Sequence, residues 1–304
     1  MNTKIFYHAD DYGVTYEQCV KILDCNTQGV LNSISVIPNV KEPGKALEIL
    51  NTFDKNGKIR RVLHLNFVEG RPLSDIEKVR HLVDDKGYFD KSFVKLLIWS
   101  YTKFGDSRKS LKAELKAEIK AQLEMVTTEY DFNITAIDSH QHYHIIPIAF
   151  ECLMEVLEES KNDLENNNIS ISQIRIPVDP LYPLIHTKGM ITKVPFVNWI
   201  KWIILKIHSI SCKRKLLKEG FDIPVFFGIF FTCEMKEDIV TALLDCYKKY
   251  SEMKNKNLEL MFHPGNLMAK HELLDDRRKE LEEFYMSDNR FLEAQCLKNL
   301  KNAR

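Results

Sequence analysis

Apolar residues fall along this chain in two rhythms. Short runs rich in Ile, Leu, Val and Phe end in polar clusters. Between them lie longer stretches whose apolar positions recur at helical spacing. The short runs predict strands at 5–7, 31–37, 61–67, 134–137, 173–177, 226–231 and 258–264. A helix capped by Thr15 runs through Val20, Ile22 and Leu23, with Gly29 closing it. Further helices are expected at 43–53, in parts of 74–104, at 109–130 and at 148–164, with a turn at 84–87 and a polar loop at 166–168. Strand alternates with helix almost throughout, which argues for parallel pairing in either a β/α barrel or an open sheet. No internal repeat, low-complexity tract or linker interrupts the pattern. Residues 1–304 therefore read as a single domain.

One segment breaks the rhythm. Residues 183–220 lie between the fifth and sixth strands, and 196–207 are strongly apolar yet hold Lys201 and Lys206. Lys213, Arg214, Lys215 and Lys218 follow, and Glu219 is the only acidic residue of the segment. Apolar helix faces usually bury in protein, so a helical insertion packed on the barrel or on a second subunit is expected. The alternative is a basic amphipathic helix resting on a membrane surface through 190–215. If the segment leaves at the C-terminal end of the fifth strand, it forms a helical wall or lid over a substrate cleft.

Composition narrows the class of protein. Of 304 residues, 44% are hydrophobic and 28% charged, which suits a globular chain with a full core. Lys plus Arg and Asp plus Glu are both 43, so net charge offers no general attraction to nucleic acid. The seven Cys form no C-x-x-C pair, and the N-terminus lacks a signal-peptide pattern. A reduced, cytoplasmic setting follows as the expectation.

Candidate chemistry gathers where strands end. Asp10 and Asp11 close the first strand; such a pair also suits a solvated turn, but one carboxylate can ligate a divalent ion while its neighbour serves as general base. His64 lies at or near the end of the third strand. Asp138, His140, His142 and His144 leave the fourth, and three His within five residues are rare by chance. Asp11, His64 and His140 together would supply two imidazoles and one carboxylate, leaving coordination positions open. His263, before Pro264-Gly265, would sit at the tip of the seventh strand as a candidate general acid. Arg175 ends the fifth strand and would pair with Asp10, keeping it ionised; a surface ion pair is its plainer reading.

Four of these stretches carry a resemblance. His8-Ala-Asp-Asp-Tyr-Gly13 resembles the Asn-Ala-Asp-Asp-Phe-Gly opening of the YdjC-type carbohydrate deacetylases, with His8 in place of Asn. Leu63-His-Leu-Asn66 with Glu69-Gly70 and Pro72-Leu73 is similar to that family's His-Leu-Asn-Leu-x-x-Gly-x-Pro-Leu segment. Ile137-Asp-Ser-His-Gln-His-Tyr-His144 and Met261-Phe-His-Pro-Gly265 resemble its Asp-Ser-His-Gln-His-x-His and Met-Cys-His-Pro-Gly motifs. The four occur in the family's order and span residues 8 to 265. The resemblance implies a distorted seven-stranded β/α barrel, TIM-barrel-like, with 183–220 as a longer insertion than in compact members. It implies one divalent metal ion (Mg, Zn or another first-row ion) held by Asp11, His64 and His140. Asp10 would act as base and His263 as acid in removing acetyl groups from N-acetylated sugars such as chitooligosaccharides. A homodimer is a further expectation. Competing readings are a metal-dependent phosphodiesterase, disfavoured because no second full ligand set is evident, and a non-catalytic sugar-binding protein. No role is assigned to Asp138, His142 or His144.

Overall fold

The structure is a computed structural model and describes residues 3–40, 43–129, 132–268 and 279–300. Seven strands form one parallel sheet: β1 (Ile5–Tyr12), β2 (Ser33–Val36), β3 (Arg60–Leu65), β4 (Ala136–Ser139), β5 (Gln173–Ile174), β6 (Val225–Phe227) and β7 (Leu258–Phe262). Their order is β5-β4-β3-β2-β1-β7-β6, so β5 and β6 are the edges. The sheet curls into a partial barrel. Its edges are joined by one parallel bridge, Gln173 with Asp222, at the rim where the strands begin. The helices are α1 (Tyr16–Thr27), α2 (Pro43–Phe53), α3 (Phe93–Thr102), α4 (Gly105–Glu124), α5 (Pro147–Glu159), α6 (Lys161–Asn166), α7 (Leu181–His186), α8 (Phe196–Lys218), α9 (Glu237–Lys254), α10 (Lys279–Tyr285) and α11 (Asp288–Asn299).

Alternation along the strands sorts side chains into two cores. Tyr7, Ala9, Ile34, Val36, Leu63, Leu65, Ile137, Leu258, Leu260 and Phe262 belong to the apolar layer. The intervening positions, His8, Asp10, Ser33, Ser35, His64, Asp138, Gln173, Arg175 and Glu259, are equally buried but polar. They bond to one another across the barrel interior. Arg60 donates to Ser33 at 3.2 Å and to Glu259 at 3.0 Å, while Arg175 donates from Nε to Glu259 at 2.7 Å. The interior is thus a ladder of opposite charges, a feature the sequence reading did not anticipate.

Several predicted boundaries shift for local reasons. Thr15 does cap α1, accepting from Gln18 N–H at 3.1 Å, but the helix ends at Thr27. Gly29 is needed for close approach instead: a Cβ there would meet the carbonyl oxygens of Cys25 and Leu297 at 2.5 Å. The sixth strand stops at Phe227, because the next three N–H groups, of Gly228, Ile229 and Phe230, turn to the Asp179 carboxylate at 2.8, 2.8 and 3.3 Å. The expected helix at 148–164 divides into α5 and α6 at Ser160. That at 109–130 begins earlier, at Gly105, and passes into a wide turn at Met125–Glu129; Tyr130 lies outside the described residues. In the connection between β5 and β6, α8 buries Asn198, Trp202, Leu205, Ser209, Cys212 and Leu216. Two hydrogen bonds hold it to its surroundings: Trp202 Nε1 donates to Asp179 O at 2.9 Å and Asn198 Nδ2 to Phe230 O at 3.1 Å.

Candidate active site

Asp10 and Asp11 adjoin in sequence, yet their side chains enter different surroundings. Asp11 has a left-handed backbone, φ 63°, and the pairing of β1 with β2 shifts register between Ala9 and Tyr12. That bulge lets both carboxylates be buried without repelling each other at contact distance. Asp10 continues the inward alternation of β1. Both its oxygens accept from Arg175, Nη1 to Oδ2 and Nη2 to Oδ1, at 2.8 Å each. His8 Nε2 lies 3.1 Å from Oδ1. Burial would raise the Asp10 carboxyl, but the Arg175 guanidinium overrides it and holds the group far below the usual carboxylate range.

Asp11 faces the two histidines that the strand ends of β3 and β4 bring to it. His140 Nδ1 lies 2.8 Å and His64 Nε2 3.3 Å from Asp11 Oδ1. Arg290, on α11, reaches Asp11 Oδ2 at 3.1 Å. Burial works against ionisation here too; His140, His64 and Arg290 outweigh it, and Asp11 stays well below the ordinary value. His64 and Asp138 are partners in the β3–β4 register, and His64 Nδ1 donates to Asp138 Oδ1 at 2.6 Å. That bond fixes the ring and turns Nε2 toward Asp11, as a carboxylate behind a metal-binding imidazole does. Burial would lower the His64 imidazole, but Asp138 and Asp11 lift it to about 10.

Three histidines in His140–His144 take three directions, because Gln141 and His142 both adopt left-handed backbone, φ 50° and 60°. His140 turns to Asp11. His144 is structural: Nδ1 lies 2.6 Å from Ser139 Oγ and Nε2 2.9 Å from Arg175 O, and burial takes it down to about 4. His142 stands edge-on to Phe226, ring centroids 6.4 Å apart, with Nδ1 buried and without a hydrogen-bond partner among the described residues. His263 follows β7. Its backbone N–H donates to Glu293 Oε2, its buried Nδ1 lies 3.8 Å from the same oxygen with no hydrogen bond among the described residues, and burial brings it down to about 4.

Among the described residues, two groups of three meet the distance requirement for holding an ion. In each, the ligand atoms lie within 4.8 Å of one another. In the group His8, Asp10 and Asp138, a cation is already in place: Arg175 donates to Asp10 and lies 2.7 Å from Asp138 Oδ2. The second ligand set that the sequence reading did not see therefore exists in geometry, but a guanidinium fills it. In the group Asp11, His64 and His140, Nε2 of both rings is buried and makes no well-aligned hydrogen bond among the described residues; that of His64 lies 3.3 Å from Asp11 Oδ1 and that of His140 3.6 Å from Glu69 Oε1. Leaving a buried polar atom unpaired costs about 1–3 kcal/mol. Two such nitrogens beside a carboxylate fit a divalent ion of the Zn, Co, Ni or Mn kind, and the open positions also admit Mg.

The structure thus brings Asp10, Asp11, His64, His140, Arg175 and His263 to one rim of the sheet. It also adds residues that sequence reasoning missed. Glu69 Oε1 lies 3.6 Å from His140 Nε2 and accepts from Tyr285 O–H. Arg290 and Glu293 lie three apart on α11 and are both fully buried. Their signal was present in the stripe 290, 293, 294 and 297, where Ala294 and Leu297 are buried too. Two charges on the buried face of a helix require partners in the core.

A carbohydrate deacetylase of Xenopus laevis is 28% identical over 271 residues, covering 86% of this chain and 81% of that protein. One from Clostridium beijerinckii is 27% identical over 184 residues, 60% of this chain and 65% of that protein. One from Thermoanaerobacter pseudethanolicus is 33% identical over 89 residues, 29% of this chain and only 34% of that protein. A solved structure from Enterococcus faecalis V583, described as a candidate cellobiose-phosphate cleavage protein, superposes with a TM-score of 0.61 at 18% identity, covering 100% of this chain and 94% of that one. It shares the fold. Residues 4–296 match the model of the YdjC-like proteins, and the chain belongs to that family.

Proposed function

We propose that this chain is a metal-dependent hydrolase that removes the N-acetyl group from an acetylated amino sugar or oligosaccharide. The carbohydrate deacetylases among its relatives support the reaction class. The observation that carries the metal is the meeting of Asp11, His64 and His140, which offer buried ligand atoms within 4.8 Å of one another. In this reading residues 1–304 form one domain, a distorted seven-stranded β/α barrel with 183–220 as a helical insertion.

Asp11, His64 and His140 would hold the ion, with Asp138 orienting His64 and Arg290 orienting Asp11. When bound, a divalent ion supplies Lewis acidity toward an acetamide carbonyl and toward water. Asp10 takes a proton from the attacking water. Arg175 binds both Asp10 oxygens, so it keeps the carboxylate ionised and fixes its plane, while limiting its basicity. His263 carries a proton from its buried Nδ1 to the departing nitrogen as the C–N bond breaks. Acetate and a free sugar amine are the products. Burial brings His263 down to about 4, so the ring is neutral at neutral pH and must take up a proton within the cycle before it can give one to that amine.

The test is acetate release from N-acetylated mono- and oligosaccharides, with Mg, Zn, Mn, Co or Ni added after chelation. Release that a chelator abolishes and one of these ions restores is expected. Hydrolysis of a phosphodiester with no acetate from any sugar would replace the reading.

A further inference from the structure

The outer face of α8 is apolar where a surface helix is ordinarily polar. Phe196, Ile200, Ile203, Ile207 and Ile210 follow at steps of four, three, four and three, so they form one stripe along the helix. They are 44% to 79% exposed, while Asn198, Trp202, Leu205, Ser209, Cys212 and Leu216 bury the opposite side. A second stripe runs alongside on α3: Val94, Ile98 and Tyr101 are more than half exposed, and Tyr101 Oη lies 3.2 Å from His208 Nδ1, which ties the two helices together.

Charge identifies what would cover this face. The chain as a whole is neutral, yet Phe196–Lys218 holds Lys201, Lys206, Lys213, Arg214, Lys215 and Lys218, all exposed, and no Asp or Glu. α3 adds Lys95 and no acid. Two copies meeting through α8 would set these basic rows against each other. An anionic lipid surface complements them, with the apolar stripe entering the acyl boundary and the lysines at headgroup level. A cavity of about 570 Å³ opens on one flank of α8, where Lys206 and Lys213 face Lys254 and Lys256. The buried Ser209 hydroxyl on its wall has no hydrogen-bond partner among the described residues. That cavity suits a lipid phosphate.

We propose that the α8–α3 face docks on an anionic phospholipid surface. The N-terminal end of α8 lies against Phe230, just beyond β6, and Cys212 packs on Ile145, in the segment that begins with His140. Docking would therefore leave α8 between the lipid surface and the segment that begins with His140. The docking face stands whether or not the site removes acetyl groups.

Vesicle sedimentation tests it with the full chain. Wild type should pellet with vesicles of phosphatidylglycerol and phosphatidylcholine, not with phosphatidylcholine alone, and raised salt should release it. Ile203→Glu with Ile207→Glu should weaken partition at least tenfold without lowering the melting temperature, since both side chains point away from the core. Ile207→Trp should be quenched by brominated acyl chains. No pelleting with anionic vesicles, or no quenching of that tryptophan, overturns the proposal. So does a wild-type dimer that the same double substitution converts to monomer, which would make the face a self-association surface.

Discussion

Asp10 and Asp11 show how one residue step changes chemistry. The left-handed backbone at Asp11 aims one carboxylate at His64 and His140 and leaves the other on Arg175. Asp10→Asn should retain the divalent ion and lose about two to four powers of ten in turnover, the range for a general base. Asp11→Asn should lose the ion as well. Metal content by mass spectrometry, set beside the rate of acetate release, separates the two. Equal metal content in both variants would contradict the division of labour. His8 also belongs at this scale: its ring lies 2.6 Å from both Ser33 Oγ and Ser35 Oγ and 3.1 Å from Asp10, so the residue that departs from the family's Asn is part of the Asp10 cradle.

At the scale of elements, the end of β6 is organised from outside the strand. Asp179, fully buried, gathers the N–H groups of Gly228, Ile229 and Phe230 and the Tyr247 hydroxyl, the last at 3.0 Å. Burial outweighs those four donors and raises its carboxyl from 3.8 to about 6. The folded chain therefore keeps a proton between those values that the unfolded chain has lost. Stability from this group falls as pH climbs through that window. The margin of wild type over Asp179→Asn should shrink by on the order of 3 kcal/mol between about pH 4 and about pH 7. Urea denaturation across that range measures it; a constant margin would show that Asp179 is ionised throughout.

At the scale of the whole molecule, the charge ladder in the barrel ties the rim where the strands begin to the rim that carries the site. Glu259 is its middle rung, accepting from Arg60 on one side and Arg175 on the other. Burial would raise its carboxyl; the two guanidinium groups bring it below the ordinary value. Glu259→Ala leaves two guanidinium groups short of a buried counter-charge, and breaking such a pair costs about 3–5 kcal/mol. Turnover should fall too, because Arg175 loses the Nε bond to Glu259 that helps set its position against Asp10. A loss under about 1 kcal/mol by urea denaturation would mean that the ladder is hydrated rather than dry.

The rhythm of strand and helix, the seven strands and the polar residues at their ends were legible in the sequence, because period and turn chemistry are local. So was the grouping of Asp11, His64 and His140 by motif. Three features were decided only in three dimensions. A left-handed pair at Gln141 and His142 sends neighbouring histidines to different tasks, and backbone handedness at non-glycine positions has no sequence signal. The polar interior depends on residues from five or more strands satisfying one another, so no single strand announces it. Arg290 and Glu293 reach the site from α11, far along the chain, and Glu69 from the loop after β3; the stripe on α11 marks two charges as buried, but only the fold shows which partners they meet.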